Sequence, residues 1–147
     1  MSDLGLTHVA LPVADLAASL AFYEKYAGLG LVHERVDPVT GRRVAWIGDR
    51  TRPFVVVLVE VPEVRHPLLP LAHLGVGLAS RDAVDRLAAE AQREGRACYG
   101  PVDAGAPVGY FALISDPDRH TLELSHGQEV SLAVERAAAP AVADPVD

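Results

Sequence analysis

Two hydrophobic periods alternate along this chain, and they do so twice in the same order. His8 to Val13 is β-prone and runs past a proline. Asp15 then stands where a helix N-cap belongs, and Leu16, Leu20, Tyr23 and Ala27 fall on one helical face, with Gly28 in the position of a left-handed C-terminal stop. Leu31 to Val36 reads as a strand. Asp37-Pro38-Val39-Thr40-Gly41 carries turn signals, Arg43 to Ile47 is a second strand, and Phe54 to Val61 is a third after a turn over Gly48 to Pro53. The predicted order is β-α-β-β-β.

Pro62, Pro67 and Pro70 make a short stiff connection, after which the order repeats. Leu71 to Leu78 predicts a strand. Ser80 is an N-cap with Asp82 in the first turn, and Val84, Leu87, Ala88 and Ala91 keep i, i+3, i+4, i+7 spacing up to Gly95. A short strand begins at Cys98-Tyr99, Tyr110 to Ser115 is the next, Asp116-Pro117-Asp118 turns, and His120 to Ser125 closes the unit. Residues 1–128 therefore form one domain of two modules, 6–61 and 71–126. The Ala-, Val- and Pro-rich tail of 129–147 is expected to be a docked helix or a frayed end over Val130 to Ala139, with partial disorder at its last residues.

The repeat also aligns chemistry. Leu6-Thr7-His8-Val9-Ala10-Leu11 has a counterpart in Leu71-Ala72-His73-Leu74-Gly75-Val76, and Leu58-Val59-Glu60-Val61 has one in Leu122-Glu123-Leu124. His73 follows His8 by 65 positions and Glu123 follows Glu60 by 63, so self-similarity at a fixed period singles out two imidazoles and two carboxylates. A carboxylate within an apolar strand needs a partner, because burying an unpaired charge costs several kcal/mol. Taken singly, each histidine reads as a packed or edge residue, Glu60 as a strand-end carboxylate and Glu123 as a partner for Arg119. As a set, His8, Glu60, His73 and Glu123 suit one divalent metal per site, with Fe, Mn, Ni, Co or Zn favoured over calcium by the nitrogen donors. Such an ion polarises a carbonyl or stabilises an enediolate while a carboxylate, Glu123 or Glu60, moves the proton.

Composition narrows the partners. A net charge of −7 with no clustered Lys and Arg excludes a nucleic-acid face. No apolar run approaches the ~18 residues of a membrane helix. A lone Cys98 rules out an internal disulfide, and an N-terminus without a basic region fits no secretory signal, so a reduced, cytoplasmic setting is expected. The expected partner is a small molecule. Trp46, Phe54, Tyr110 and Phe111 are candidate pocket residues, about half of them core, and His33, His66, His120 and His126 read as surface or pocket-rim residues.

On His8-Val9-Ala10-Leu11-Pro12-Val13-Ala14-Asp15-Leu16, Ser19-Leu20-Ala21-Phe22-Tyr23, Gly28-Leu29-Gly30-Leu31, His73-Leu74-Gly75-Val76 and Asp116-Pro117-Asp118-Arg119-His120-Thr121-Leu122-Glu123-Leu124, the chain resembles the vicinal-oxygen-chelate superfamily of glyoxalases, extradiol dioxygenases and bleomycin-resistance proteins. The resemblance covers about Leu6 to Gly127. It implies an α+β, glyoxalase-like fold in which tandem βαβββ modules form an open cup of curved sheet, with His8, His73 and Glu123 as metal ligands, Glu60 as a glyoxalase-I-like fourth ligand, and a homodimer completing the site.

The pattern departs at four positions. Arg119 stands where the family's turn has glycine. Pro12 and Val64 stand where glutathione-binding arginine and asparagine would be, and Leu113 replaces the ring-cleaving enzymes' tyrosine, with Tyr110 at the wrong spacing. The resemblance implies a metal-dependent glyoxalase-type isomerase, lyase or epimerase. The alternatives are an Fe(II) extradiol-type dioxygenase and a metal-free ligand-binding or resistance protein.

Overall fold

Eight strands and three helices organise the part of the chain that the structure, a computed structural model, describes: residues 5–140. The first module contains β1 (His8–Val13), α1 (Leu16–Ala27), β2 (Gly30–Val36), β3 (Arg43–Gly48) and β4 (Val55–Glu60). The second contains β5 (Leu74–Gly77), α2 (Arg81–Arg93), β6 (Cys98–Asp103), β7 (Tyr110–Ser115) and β8 (Thr121–His126). The helix α3 (Val130–Ala138) follows. The fold is α+β and glyoxalase-like, two βαβββ modules that each form a mixed four-stranded sheet, in the orders β1-β4-β3-β2 and β5-β8-β7-β6. β1 and β5 run parallel to their neighbours β4 and β8, and each is one of the two edge strands of its sheet.

Local chemistry sets the helix ends. Asp15 accepts from the Ala18 amide at 3.0 Å to cap α1, and Gly28 closes it at φ +64°. Ser80 does the same for α2 through the Ala83 amide at 3.1 Å, and Val84, Leu87, Ala88 and Ala91 are buried as their spacing predicts. On α1 the buried residues are Leu16, Ser19, Phe22, Tyr23 and Tyr26. Leu20 and Ala27 sit at the margin of the core. The aromatic side chains widen the stripe because α1 packs on its own sheet and also against the second module.

That second contact makes one core of the two modules. Arg96 lies over the Phe22 ring at 4.7 Å, Lys25 pairs with Glu90 at 2.7 Å and with Glu94, and Tyr23 Oη donates to buried Asp116 Oδ2 at 2.8 Å. Buried His120, expected at the surface or on a pocket rim, is a cross-brace. Its Nδ1 accepts from the Leu68 amide at 2.9 Å and its Nε2 donates to the Pro12 carbonyl at 2.8 Å. Arg119 keeps the left-handed turn at φ +70°, a conformation that costs an L-residue roughly 1–2 kcal/mol.

Two expectations need revision. β5 begins at Leu74, because Pro70 and the turn in which the Ala72 amide reaches the Leu69 carbonyl (2.6 Å) keep Leu71 to His73 out of the strand. α3 has no buried residue, so it is not docked on the rest of this chain. The expected disorder of the last residues lies outside the described part.

Candidate metal centre

In both modules the helices cover one sheet face. Leu11, Val13, Val56 and Leu58 point to them in the first module, and Leu122 and Leu124 in the second. Strand alternation sends His8, Ala10, Pro12, Val55, Val57 and Val59 to the opposite face of the first sheet, and Gly75, Thr121, Glu123 and Ser125 to the opposite face of the second. These are the faces on which a ligand can sit.

On the second sheet, half a centre is assembled. His73 Nε2 lies 3.4 Å from Glu123 Oε2. His73 Nδ1 is 2.9 Å from the Pro70 carbonyl oxygen, which has no proton to give, so Nδ1 carries a hydrogen and, in the neutral ring, the Nε2 lone pair faces the carboxylate. Glu123 is buried, and its other oxygen accepts from Gln128 Nε2 at 3.2 Å. Two lone-pair donors facing each other at this distance call for a proton or a cation between them. The spacing is one that a single ion with N and O bonds of about 2.1 Å can bridge, and a histidine that gives its far N–H to a backbone carbonyl has the usual outer-sphere support of a metal ligand.

The first sheet presents one donor. His8, on the free edge of β1, is exposed, and its Nδ1 is 2.9 Å from Thr7 Oγ1, which leaves Nε2 open. His8 and the His73–Glu123 pair belong to different sheets, and among the described residues no three His, Cys, Asp or Glu side chains of one chain converge on a cation site.

Glu60 does not belong with them. It shares its face with Val56 and Leu58, and its Oε2 accepts from the Leu16 amide at the first turn of α1 (3.1 Å), with Arg43 Nη1 at 3.9 Å. The register explains why. In the second module the residue two after the histidine, Gly75, pairs with Glu123; in the first the residue two after the histidine, Ala10, pairs with Val57. Val57 is therefore the structural counterpart of Glu123. Glu60 is three residues further on, and an odd shift turns a side chain to the other face. Glu60, expected as ligand or proton carrier, is placed here as an acceptor at the first turn of α1, on the helix-covered face of its sheet.

Beside His8 the first sheet forms the floor of a cavity of about 810 Å³, lined by Val55, Val57, Val59, Trp46 and Phe54 and rimmed by arginines. That volume lies within the range of small-molecule sites. Trp46 is 39% exposed and stacks edge-on with His33, ring centroids 5.1 Å apart. Tyr110 is engaged elsewhere, donating to Asp85 at 2.5 Å beneath Arg81. Phe111 lies against Tyr99, centroids 6.4 Å apart, and His126 Nδ1 lies 3.0 Å from the Leu78 carbonyl oxygen. Gln128, which holds Glu123, is not singled out by any pattern in the sequence. No helix among the described residues is long and apolar enough to cross a membrane.

Residues 5–124 match the family model of the Glyoxalase/Bleomycin resistance protein/Dioxygenase superfamily. An uncharacterized protein of Pseudomonas aeruginosa is 36% identical over 126 residues, which cover 84% of this chain and 89% of that protein. Among solved structures, a possible glyoxalase from Bacillus cereus is similar at a TM-score of 0.64 and 27% identity, covering 84% of this chain and 99% of its own. A mutant fosfomycin resistance protein of Listeria monocytogenes, complexed with Mn(II) and a dihydroxypropylphosphonic acid, shares the fold at a TM-score of 0.67 and 16% identity, covering 90% and 99%.

Proposed function

Because the chain belongs to the glyoxalase/bleomycin resistance protein/dioxygenase superfamily, we propose that it is a divalent-metal-dependent enzyme of glyoxalase type, an isomerase, lyase or epimerase acting on a small substrate with vicinal oxygens. The observation that carries this reading is the His73–Glu123 pair, two lone-pair donors held 3.4 Å apart with their outer atoms hydrogen-bonded. The ligand set is His73 and Glu123 from one subunit and His8 from a second copy of the chain.

Two features favour completion by a second copy. His8 sits on one unpaired sheet edge and His73 at the start of the other. Free edges and large exposed apolar residues call for cover. Leu6 and Leu71, each two residues before a histidine, are 89% and 102% exposed. A two-fold dimer that brings β1 of one subunit beside β5 of its partner covers both edges at once and makes two equivalent centres, because such an interface uses each surface twice.

A divalent ion held there would supply Lewis-acid polarisation of a substrate oxygen. The chain itself contributes the remaining steps. Gln128 fixes one oxygen of Glu123 and Pro70 fixes the His73 ring, so the carboxylate is oriented to take a proton from a carbon beside the bound oxygens and return it. The valine floor and Trp46 exclude water from the substrate's body.

A second reading, the Fe(II) dioxygenase, gains from the placement of Glu60, since two histidines and one carboxylate are the set that chemistry needs. Leu113 in place of a tyrosine counts against it. Metal analysis of protein purified without a chelating tag tests the proposal. Wild type is expected to hold about one divalent ion per subunit, and His8→Ala, His73→Ala and Glu123→Ala each to lose it. Unchanged stoichiometry in these variants refutes the ligand set. Ferrous-dependent oxygen uptake decides for the second reading, and wild type that takes up no metal after reconstitution decides for a metal-free binding protein.

A further inference from the structure

The protein is acidic overall, at −7, yet the cavity beside His8 is ringed by arginines: Arg35, Arg42, Arg50 and Arg52. The one carboxylate on its wall, Asp37, faces its own turn. It accepts from the Val39 and Thr40 amides at 2.9 Å each and from Thr40 Oγ1 at 3.1 Å, and these bonds hold its carboxyl below the usual range. The two ends of the cavity differ. At the His8 end, Arg50 Nη2 is spent on the Leu31 carbonyl (2.8 Å) and Arg52 on Asp49 (3.1 Å). At the hairpin end, Arg35 touches Asp37 at 3.4 Å, and the Arg42 side chain has no carboxylate or hydrogen-bond partner among the described residues.

The register fixes the distance between the ends. Val55 pairs with His8, whereas Val59 pairs with Pro12 and with Val44, the neighbour of Arg35. Four residues of strand separate them, about 13 Å. Between lie Val57 and Trp46, an apolar surface. A chamber of this kind has a dry middle and, at the end away from His8, the Arg42 guanidinium without a partner among the described residues, beside Arg35. Guanidinium forks bind carboxylate and phosphate oxygens through charge-assisted pairs, and a low-dielectric wall focuses their field on the chamber.

We propose that the substrate of this site is an elongated anion, whose carboxylate or phosphate group is held by Arg42 and Arg35 while its apolar body lies over Val57 and Trp46 and its other end reaches toward His8. This assignment rests on the reading of that sheet face as the substrate chamber.

Trp46 is the chain's single tryptophan, so binding is read directly from its fluorescence. Chelator-treated protein keeps any metal–carboxylate bond out of the measurement. The probes are phenylpropanoate, phenylpropyl phosphate and the neutral phenylpropanol. Both anions, or one of them, are expected to quench Trp46 saturably with a dissociation constant about tenfold below that of the alcohol, and the stronger anion identifies the headgroup. Arg42→Gln, a change at an exposed side chain, is expected to remove that advantage and leave binding of the alcohol unchanged. Arg93→Gln, at the end of α2, is expected to keep it. Equal binding of alcohol and anions, an anion advantage that survives in Arg42→Gln, or no response to any probe overturns the assignment. Protein that holds metal but fails here loses the anion assignment alone. Protein that passes here but holds no metal loses only the metal reading.

Discussion

Replacing Glu60 with alanine separates the helix-capping role from the ligand role, because the two predict opposite outcomes. The carboxylate accepts from the amide of Leu16, the first residue of α1, at 3.1 Å, beside the Asp15 cap on Ala18. Leu16 is fully buried, so the alanine variant leaves its N–H without an acceptor and without access to water. Losing a helix N-terminal acceptor costs about 1 kcal/mol, and losing the negative charge from the positive end of the helix dipole about 0.5 kcal/mol more. The total is about 1.5 kcal/mol. With a urea m-value of about 2 kcal/mol/M, the unfolding midpoint should fall by about 0.75 M at fixed protein concentration. Glu60→Gln, which keeps an oxygen acceptor, should lose less than half of that. Metal content should be unchanged in both. An unaltered midpoint together with loss of bound metal would show that Glu60 serves the centre and that the capping argument is wrong.

Two further substitutions probe the joint between the modules. Burial raises the Asp116 carboxyl above its ordinary value of 3.8, against the opposing pull of the Tyr23 hydroxyl. The folded protein therefore binds this proton more tightly than the unfolded chain, and the contribution of Asp116 to stability falls as pH rises from 3.8 through the raised folded value. In urea titrations across that window, wild type should lose stability relative to Asp116→Asn as pH increases, and a difference that grows in favour of wild type would mean that hydrogen bonding outweighs burial. Arg119→Gly relieves a residue held at φ +70°. Strain relief of about 1–2 kcal/mol less the glycine entropy cost of about 0.5–1 kcal/mol leaves a gain of about 0.75 kcal/mol, seen as a melting temperature higher by about 2 °C. A lower melting temperature would show that the arginine side chain contributes more than its backbone costs.

Most of the fold was legible in the chain because local signals agreed with one another. Asp15, Gly28 and Ser80 mark helix ends by their own hydrogen bonds and dihedral angles, and the β-prone runs His8 to Val13 and Tyr110 to Ser115 coincide with β1 and β7 to the residue. What escaped depends on contacts between distant segments. The Phe22 and Tyr26 face of α1 is apolar because of Arg96 and the second module, and His120 is buried because Pro12 and Leu68 close over it. The four-residue set shows the limit most clearly. Matching glutamates by apolar context aligned Glu60 with Glu123, whereas strand register aligns Val57, and a three-residue error in a two-residue period inverts the face. The pairing of His73 with Glu123 does not depend on that match, because Gly75, two positions after His73, pairs with Glu123 across the sheet. Gln128 could not be inferred, since its reach back to Glu123 depends on the turn at Gly127, where φ is +77°.

Subunit complementation tests the composite centre most directly. A chain carrying His8→Ala is mixed with one carrying His73→Ala and Glu123→Ala, the dimers are dissociated and re-formed, and metal is counted in the purified mixed species. Neither parent should hold an ion. Each mixed dimer should hold about one, because the second chain supplies His8 to the intact His73–Glu123 pair of the first, while the other centre lacks all three ligands. A mixed dimer as empty as its parents would contradict a centre shared between subunits.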